Sequence, residues 1–214
     1  LSDALKKLWK LGFFKDINIY QTSVVNDTIN IELSLNELPR LNDITIKGYK
    51  KAKSEALIKE AKLTKGKIVN ENLLSTTKYF LLNKYKKDGF YNTKVTINTV
   101  ATDSTNKKAN MVIGIDKGKK VRISEIKFEG NKELTDSKLR SAMKDTKERS
   151  PFNPLRIFKP SKFINTKYED DLTKLVTKYK ENGYRDARII ADTTKFDPKT
   201  NRMAINIKVE EGNK

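Results

Sequence analysis

The sequence predicts an α+β chain made of tandem β-α-α-β-β modules, and three observations carry that expectation. A Gly-aromatic phrase recurs as Gly12-Phe13-Phe14, Gly89-Phe90-Tyr91 and Gly183-Tyr184-Arg185, each time after an amphipathic run and before an alternating one. A strand-like segment closing on glycine occurs twice, from Asn42 to Gly48 and from Ser124 to Gly130. The glycines of that segment lie 82 residues apart, whereas Gly89 and Gly183 lie 94 apart, so the later copy carries about twelve extra residues.

The elements follow in order. Leu1 to Leu11 reads as a helix, and Ile17 to Thr22 with Thr28 to Leu35 as a hairpin. No segment before that helix matches Ile44 to Gly48, so the hairpin's apolar face is expected to lack part of its cover. With no initiator Met and no signal-like stretch, the chain reads as an internal piece of a longer array. The next module places a strand at Ile44 to Gly48, helices at Ser54 to Leu63 and Asn70 to Lys87, and strands at Asn92 to Val100 and Ala109 to Asp116. Asn70 is its second N-cap, with Val69 and Leu74 spaced as a hydrophobic staple.

The last module opens with a strand at Glu125 to Glu129, closed by Gly130. Thr135 is the expected N-cap of its first helix, flanked by the staple pair Leu134 and Leu139. The extra residues make a Pro-rich insert at about 150–163, with three of the five prolines between Ser150 and Pro160. Thr166 and Glu169 then have capping-box spacing, and Tyr168, Leu172, Leu175, Val176 and Tyr179 mark one face of a long helix. Gly183 suits a helix stop, because glycine tolerates the positive φ that such a stop requires, and Tyr184 can pack back on the last turn. Arg185 to Asp192 and Met203 to Glu210 complete the module around a turn at Asp197 to Asn201. The module bounds are therefore 1–41, 42–119 and 120–214.

Composition narrows the functions. The net charge is +18, which invites a nucleic-acid reading, but 37 of the 45 basic residues are Lys and they are spread along the chain. Bidentate recognition of phosphate and bases favours Arg, so a solvated basic surface is the simpler account. Gly89-Phe90-Tyr91 lacks the second glycine and later aromatic of an RNA-recognition strand, and neither helix pair encloses a Gly-x-x-Gly loop. With no Cys and no His, thiol chemistry, thiolate metal sites and the commonest general base are absent. The pairs Asp170-Asp171 and Glu210-Glu211 point different ways along a helix or strand and read as surface charge rather than as a dyad. Lys62 to Lys67 contains Gly66-Lys67 but not the rest of a phosphate loop. No enzymatic activity and no cofactor is expected.

The element order, the strand ending in Gly48 or Gly130 and the Gly-aromatic helix stop together resemble the POTRA (polypeptide-transport-associated) repeats. More narrowly, Leu8 to Ile17 and Ile126 to Lys132 are similar to phrases of outer-membrane assembly factors of the BamA type. The Pro-rich insert and the Lys- and Asn-rich composition are similar to such a factor from the Bacteroidota. The resemblance implies a three-stranded mixed sheet per module, covered on one face by two helices, with the last strand in the middle. It also implies a periplasmic array on a C-terminal outer-membrane β-barrel, with unfolded outer-membrane proteins and accessory assembly lipoproteins as partners and no nucleic acid. Another POTRA-bearing translocation or secretion protein is the alternative, and a basic nucleic-acid module a more distant one.

In that arrangement the first and the middle strand of each module are sheet edges, open to β-augmentation by an extended peptide. The candidate contacts are Thr93, Val95 and Ile97 on one edge and Arg185, Ala187, Arg188, Ile189 and Ile190 on the other. A merely solvated edge, guarded by Lys94 and Arg185, is the competing reading. Phe152, Leu155, Ile157 and Phe158 of the insert form a third candidate surface, unless they fold over their own module or a neighbour.

Overall fold

A computed structural model describes residues 2–26, 28–102, 104–105, 107–148 and 161–214. Its elements are α1 (Ser2–Lys10), β1 (Phe14–Val25), β2 (Thr28–Glu37), β3 (Arg40–Ile46), α2 (Lys51–Glu60), α3 (Glu71–Lys87), β4 (Lys94–Ala101) and β5 (Lys108–Asp116), then β6 (Arg122–Glu129), α4 (Asp136–Ala142), α5 (Asn165–Glu181), β7 (Arg188–Asp197) and β8 (Arg202–Glu210). The order strand, helix, helix, strand, strand thus runs twice, as the sequence predicts.

Two three-stranded sheets result, ordered β3-β5-β4 and β6-β8-β7, beside the two-stranded β1-β2. β3 lies parallel to β5 and β6 parallel to β8, while β7 runs antiparallel to β8. The two helices supply the long crossover that a parallel pair requires. The chain divides into two compact units, Leu1–Leu81 with Val95–Ile115, and Leu82–Lys94 with Asp116–Lys214.

In the first unit Leu41, Ile46, Leu57, Leu63, Val69, Leu81, Val95, Ala109, Met111 and Ile113 are buried. The inward residues of β3 and β5 alternate, as sheet geometry dictates. Asn70 caps α3 as expected, accepting from the Leu73 N–H at 2.9 Å. α2 begins and ends earlier than its sequence pattern suggests. Lys50 enters it extended and without a side-chain cap, and Lys62, at φ 54°, turns the chain out before Leu63. The β1-β2 hairpin buries Ile17, whereas Ile29, Ile31, Leu33 and Leu35 remain 41–59% exposed. These four alternate along β2 as the buried residues do along β5 and β8.

The second unit has a continuous core of Val121, Ile123, Ile126, Leu134, Leu139, Met143, Phe163, Tyr168, Leu175, Tyr179, Met203, Ile205, Ile207 and Val209. Thr135 caps α4 through its hydroxyl, which accepts from the Lys138 N–H. The capping box expected of Thr166 and Glu169 does not form. α5 starts two residues sooner, with an extended Ile164 rather than Thr166 at its N-cap position, and Glu169 instead accepts from the Asn165 side-chain amide at 2.6 Å. At the far end Gly183 has φ 96°, the Tyr184 N–H donates to the Tyr179 carbonyl at 3.1 Å, and the two rings meet edge-on at 6.2 Å.

Candidate partner-binding edges

Since β5 and β8 are central, β4 and β7 each keep one side of their backbone outside the ladder. On β4, Val95 is buried and Ile97 half-buried, and Thr93 lies just before the strand. The Thr93 hydroxyl is enclosed too, within reach of the carbonyls of Phe90 (3.0 Å) and Lys117 (3.3 Å). These side chains belong to the module's own packing. What β4 offers a partner is main chain and the exposed Lys94, Thr96 and Asn98 to Ala101.

β7 begins three residues later than the sequence pattern suggests. Arg185 and Asp186 form a turn and Ala187 is buried. Arg188 is exposed and grips Glu210 on β8 through Nε (3.0 Å) and Nη2 (2.8 Å). Ile189 is half-buried, whereas Ile190 is 47% exposed and is the extra residue of a bulge, because the register slips between Ile189 and Ala191. Bulges re-aim an edge and interrupt its pairing. From Ala191 to Lys195 the register is regular and the side chains are exposed, so this run is the better template. Phe152, Leu155, Ile157 and Phe158 lie outside the described residues.

Two carboxylates read from sequence as surface charge are buried, which corrects that reading. Asp171 is fully enclosed. Its oxygens accept from the backbone N–H groups of Lys144 (3.0 Å), Asp145 (2.9 Å) and Thr146 (2.6 Å) and from the Lys174 ammonium at 2.8 Å. Burial pushes its pKa up, but Lys174 and the loop N–H groups outweigh burial and hold the carboxyl below its ordinary value. Glu211 repeats the device on the other side of α4. It accepts from the N–H groups of Lys132, Glu133 and Leu134 and from the Tyr179 hydroxyl at 3.0 Å. Burial raises its pKa as well, and the three N–H donors and Tyr179 turn the net shift downward.

Asp171 stands on the same helical stripe as Tyr168, Leu175 and Tyr179, a signal that the reading of the Asp170-Asp171 pair as surface charge passed over. Both carboxylates are saturated by donors that hold the loops flanking α4. Among the described residues no cluster of three or more metal-ligating side chains occurs, and no helix is long and apolar enough to cross a membrane.

Comparison with known proteins places the chain in a wider group. The family model for POTRA, described as a surface antigen variable number repeat, matches residues 39–118 and 121–212. The chain is similar to the outer membrane protein assembly factor BamA of Nitratidesulfovibrio vulgaris, 26% identical over 213 residues, covering 99% of this chain and 26% of the relative. It is likewise 28% identical over 216 residues to the BamA of Neisseria meningitidis serogroup B, again covering 99% of this chain and 26% of the relative. The chain thus spans about a quarter of the length of these curated relatives. Among solved structures it is similar to the N-terminal domain of Omp85 from Thermosynechococcus elongatus, with a TM-score of 0.47 and 16% identity, covering 100% of this chain and 83% of that one.

Proposed function

Because the chain belongs to the POTRA family, we propose that it is part of the periplasmic scaffold of an outer-membrane β-barrel assembly machine. In this reading modules 1–41, 42–119 and 120–214 hold unfolded outer-membrane proteins and accessory lipoproteins, and the parent chain is anchored by a C-terminal barrel. The scaffold works by binding, without catalysis or cofactor. The similarity to BamA proteins along nearly the whole chain supports the assignment.

The observation that carries the mechanism is the strand order, which leaves β4 and β7 as edges in both three-stranded sheets. An extended client segment adds to such an edge through main-chain hydrogen bonds, so affinity depends little on its side chains. That tolerance suits a scaffold serving many clients. On β7 the regular run from Ala191 to Lys195 is the seat of the added strand, beside the bulge at Ile190.

The test is an NMR titration of the chain with an extended peptide from an outer-membrane β-strand, with a duplex oligonucleotide as control. Shifts confined to 94–101 and 188–197 are the expected result. Thr194→Pro, inside that run, should weaken binding at β7 about tenfold, because it removes a main-chain donor from the seat of the added strand while proline is tolerated on an edge. Peptide binding elsewhere, or salt-sensitive binding of the oligonucleotide alone, would sink the reading.

A further inference from the structure

β3 and β6 hold equivalent places, each the parallel edge of its sheet, yet their outer sides differ. The first part of each edge is covered in the same way. The Leu41 N–H donates to the Lys67 carbonyl at 2.7 Å and the Ile123 N–H to the Ser161 carbonyl at 2.8 Å, next to the isolated bridges Arg40–Ile68 and Arg122–Lys162. Past the register slips that follow Leu41 and Ile123 the two edges part company.

On β6 the Ile126 N–H donates to the carboxylate of Glu148. Arg140 holds that carboxylate through Nη1 at 2.9 Å and reaches Asp136 through Nη2 at 3.2 Å. The edge is closed by a side chain from the segment leading into the insert. On β3 the counterpart of Ile126, 82 residues earlier, is Ile44. The Lys47 N–H donates inward to Ile113 at 2.9 Å, so strand alternation turns the N–H groups of Ile46 and Ile44 outward. The acceptor beside Ile44 is the carboxylate of its own neighbour Asp43, an exposed group paired with Lys65 at 3.0 Å.

Where α4 has Arg140, α2 has Ile58. A groove of about 520 Å³ therefore opens between β3 and α2, with Ile44, Ile58 and Leu63 as its apolar lining. Its charged lining residues, Asp43, Glu55, Lys51 and Lys65, balance in sign. We infer that the β3 edge is a further capture site, taking an extended, uncharged segment with alternating apolar side chains, and that Glu148 and Arg140 close the equivalent β6 edge. The backbone of the segment accepts from Ile44 and Ile46, and its apolar side chains lie over Ile58 and Leu63. The inference extends edge capture to a different strand, so it can fail while β4 and β7 still bind, and the reverse.

Amide hydrogen exchange of the whole chain, followed by NMR, tests it with an octapeptide of alternating valine and threonine. The expected result is about tenfold slower exchange at Ile44 and Ile46 with none at Ile126, and no such slowing with a valine-glutamate octapeptide. Ile58→Arg should remove the effect at Ile44 while Met111 stays protected, which shows the fold intact. The double variant Arg140→Ile, Glu148→Ala should bring slowing to Ile126. Unchanged exchange at Ile44, equal slowing at Ile126 in the unaltered chain, or slowing with the acidic peptide alone would each overturn the inference. Slowing at 94–101 or 191–195 reports on the β4 and β7 edges separately.

Discussion

Replacing Gly130 with alanine is expected to destabilise the second unit by roughly 3 kcal/mol or more. Two costs add. Gly130 has φ 84°, and a left-handed backbone costs an L-residue about 1–2 kcal/mol. An added Cβ would also stand 2.2 Å from the carbonyl oxygen of Val209, on the central strand β8. That atom is backbone in a parallel ladder, so relief requires moving the β6–α4 turn, at about 1–3 kcal/mol for overpacking. Gly48 is the internal control, since it has φ 76° but no atom within 4 Å of an added Cβ. Gly48→Ala should therefore lose only the conformational part, about 1–2 kcal/mol. Denaturant midpoints for the two variants decide it, and equal losses would show that the contact with Val209 is not what makes Gly130 necessary.

The second large effect is expected of Asp171→Ala, a loss of about 2–4 kcal/mol. It strands the enclosed Thr146 N–H, and a buried donor left without a partner costs about 1–3 kcal/mol. It also frees Lys174 and the neighbouring loop N–H groups, which water can reach at smaller cost. The effect depends on pH with a definite sign. The folded carboxyl sits below its unfolded value of about 3.9, so the unfolded chain binds the proton first. Its stabilisation is complete above that value and is lost as pH falls through the folded pKa. Glu211 acts in the same sense. Thermal unfolding followed from pH 6 to pH 2 should show a steep acid limb that is flatter in Asp171→Asn, and parallel profiles would contradict the assignment.

The architecture was legible because the modules repeat: three copies of a helix stop, two of a strand closed by glycine. Periodicity also found Tyr168, Leu175 and Tyr179. What it missed were features that one module has and the other lacks. The counterpart of Asp171, 94 residues earlier, is Thr77, whose hydroxyl merely donates to the Leu73 carbonyl within its own helix. No repeat could announce a carboxylate that answers loop N–H groups brought to it only by folding. The same holds for Glu148, whose partner on β6 lies 22 residues away across a turn and a helix. Strand starts failed for a simpler reason. Arg185 to Ala187 alternates as a strand would, but the chain must first reverse after the Gly183 stop.

The bare face of the β1-β2 hairpin carries a colloidal consequence. Ile29, Ile31, Leu33 and Leu35 form an adhesive stripe on a molecule whose net charge is +18. In dilute buffer the like charges hold such stripes apart, because the Debye length of about 30 Å at 0.01 M spans the gap between approaching molecules. At 1 M salt that length shrinks to about 3 Å, and sticking prevails over repulsion. A chain with that stripe exposed is therefore expected to associate more readily as salt rises, the opposite of a charge-driven contact, and light scattering between about 0.01 and 1 M salt checks it.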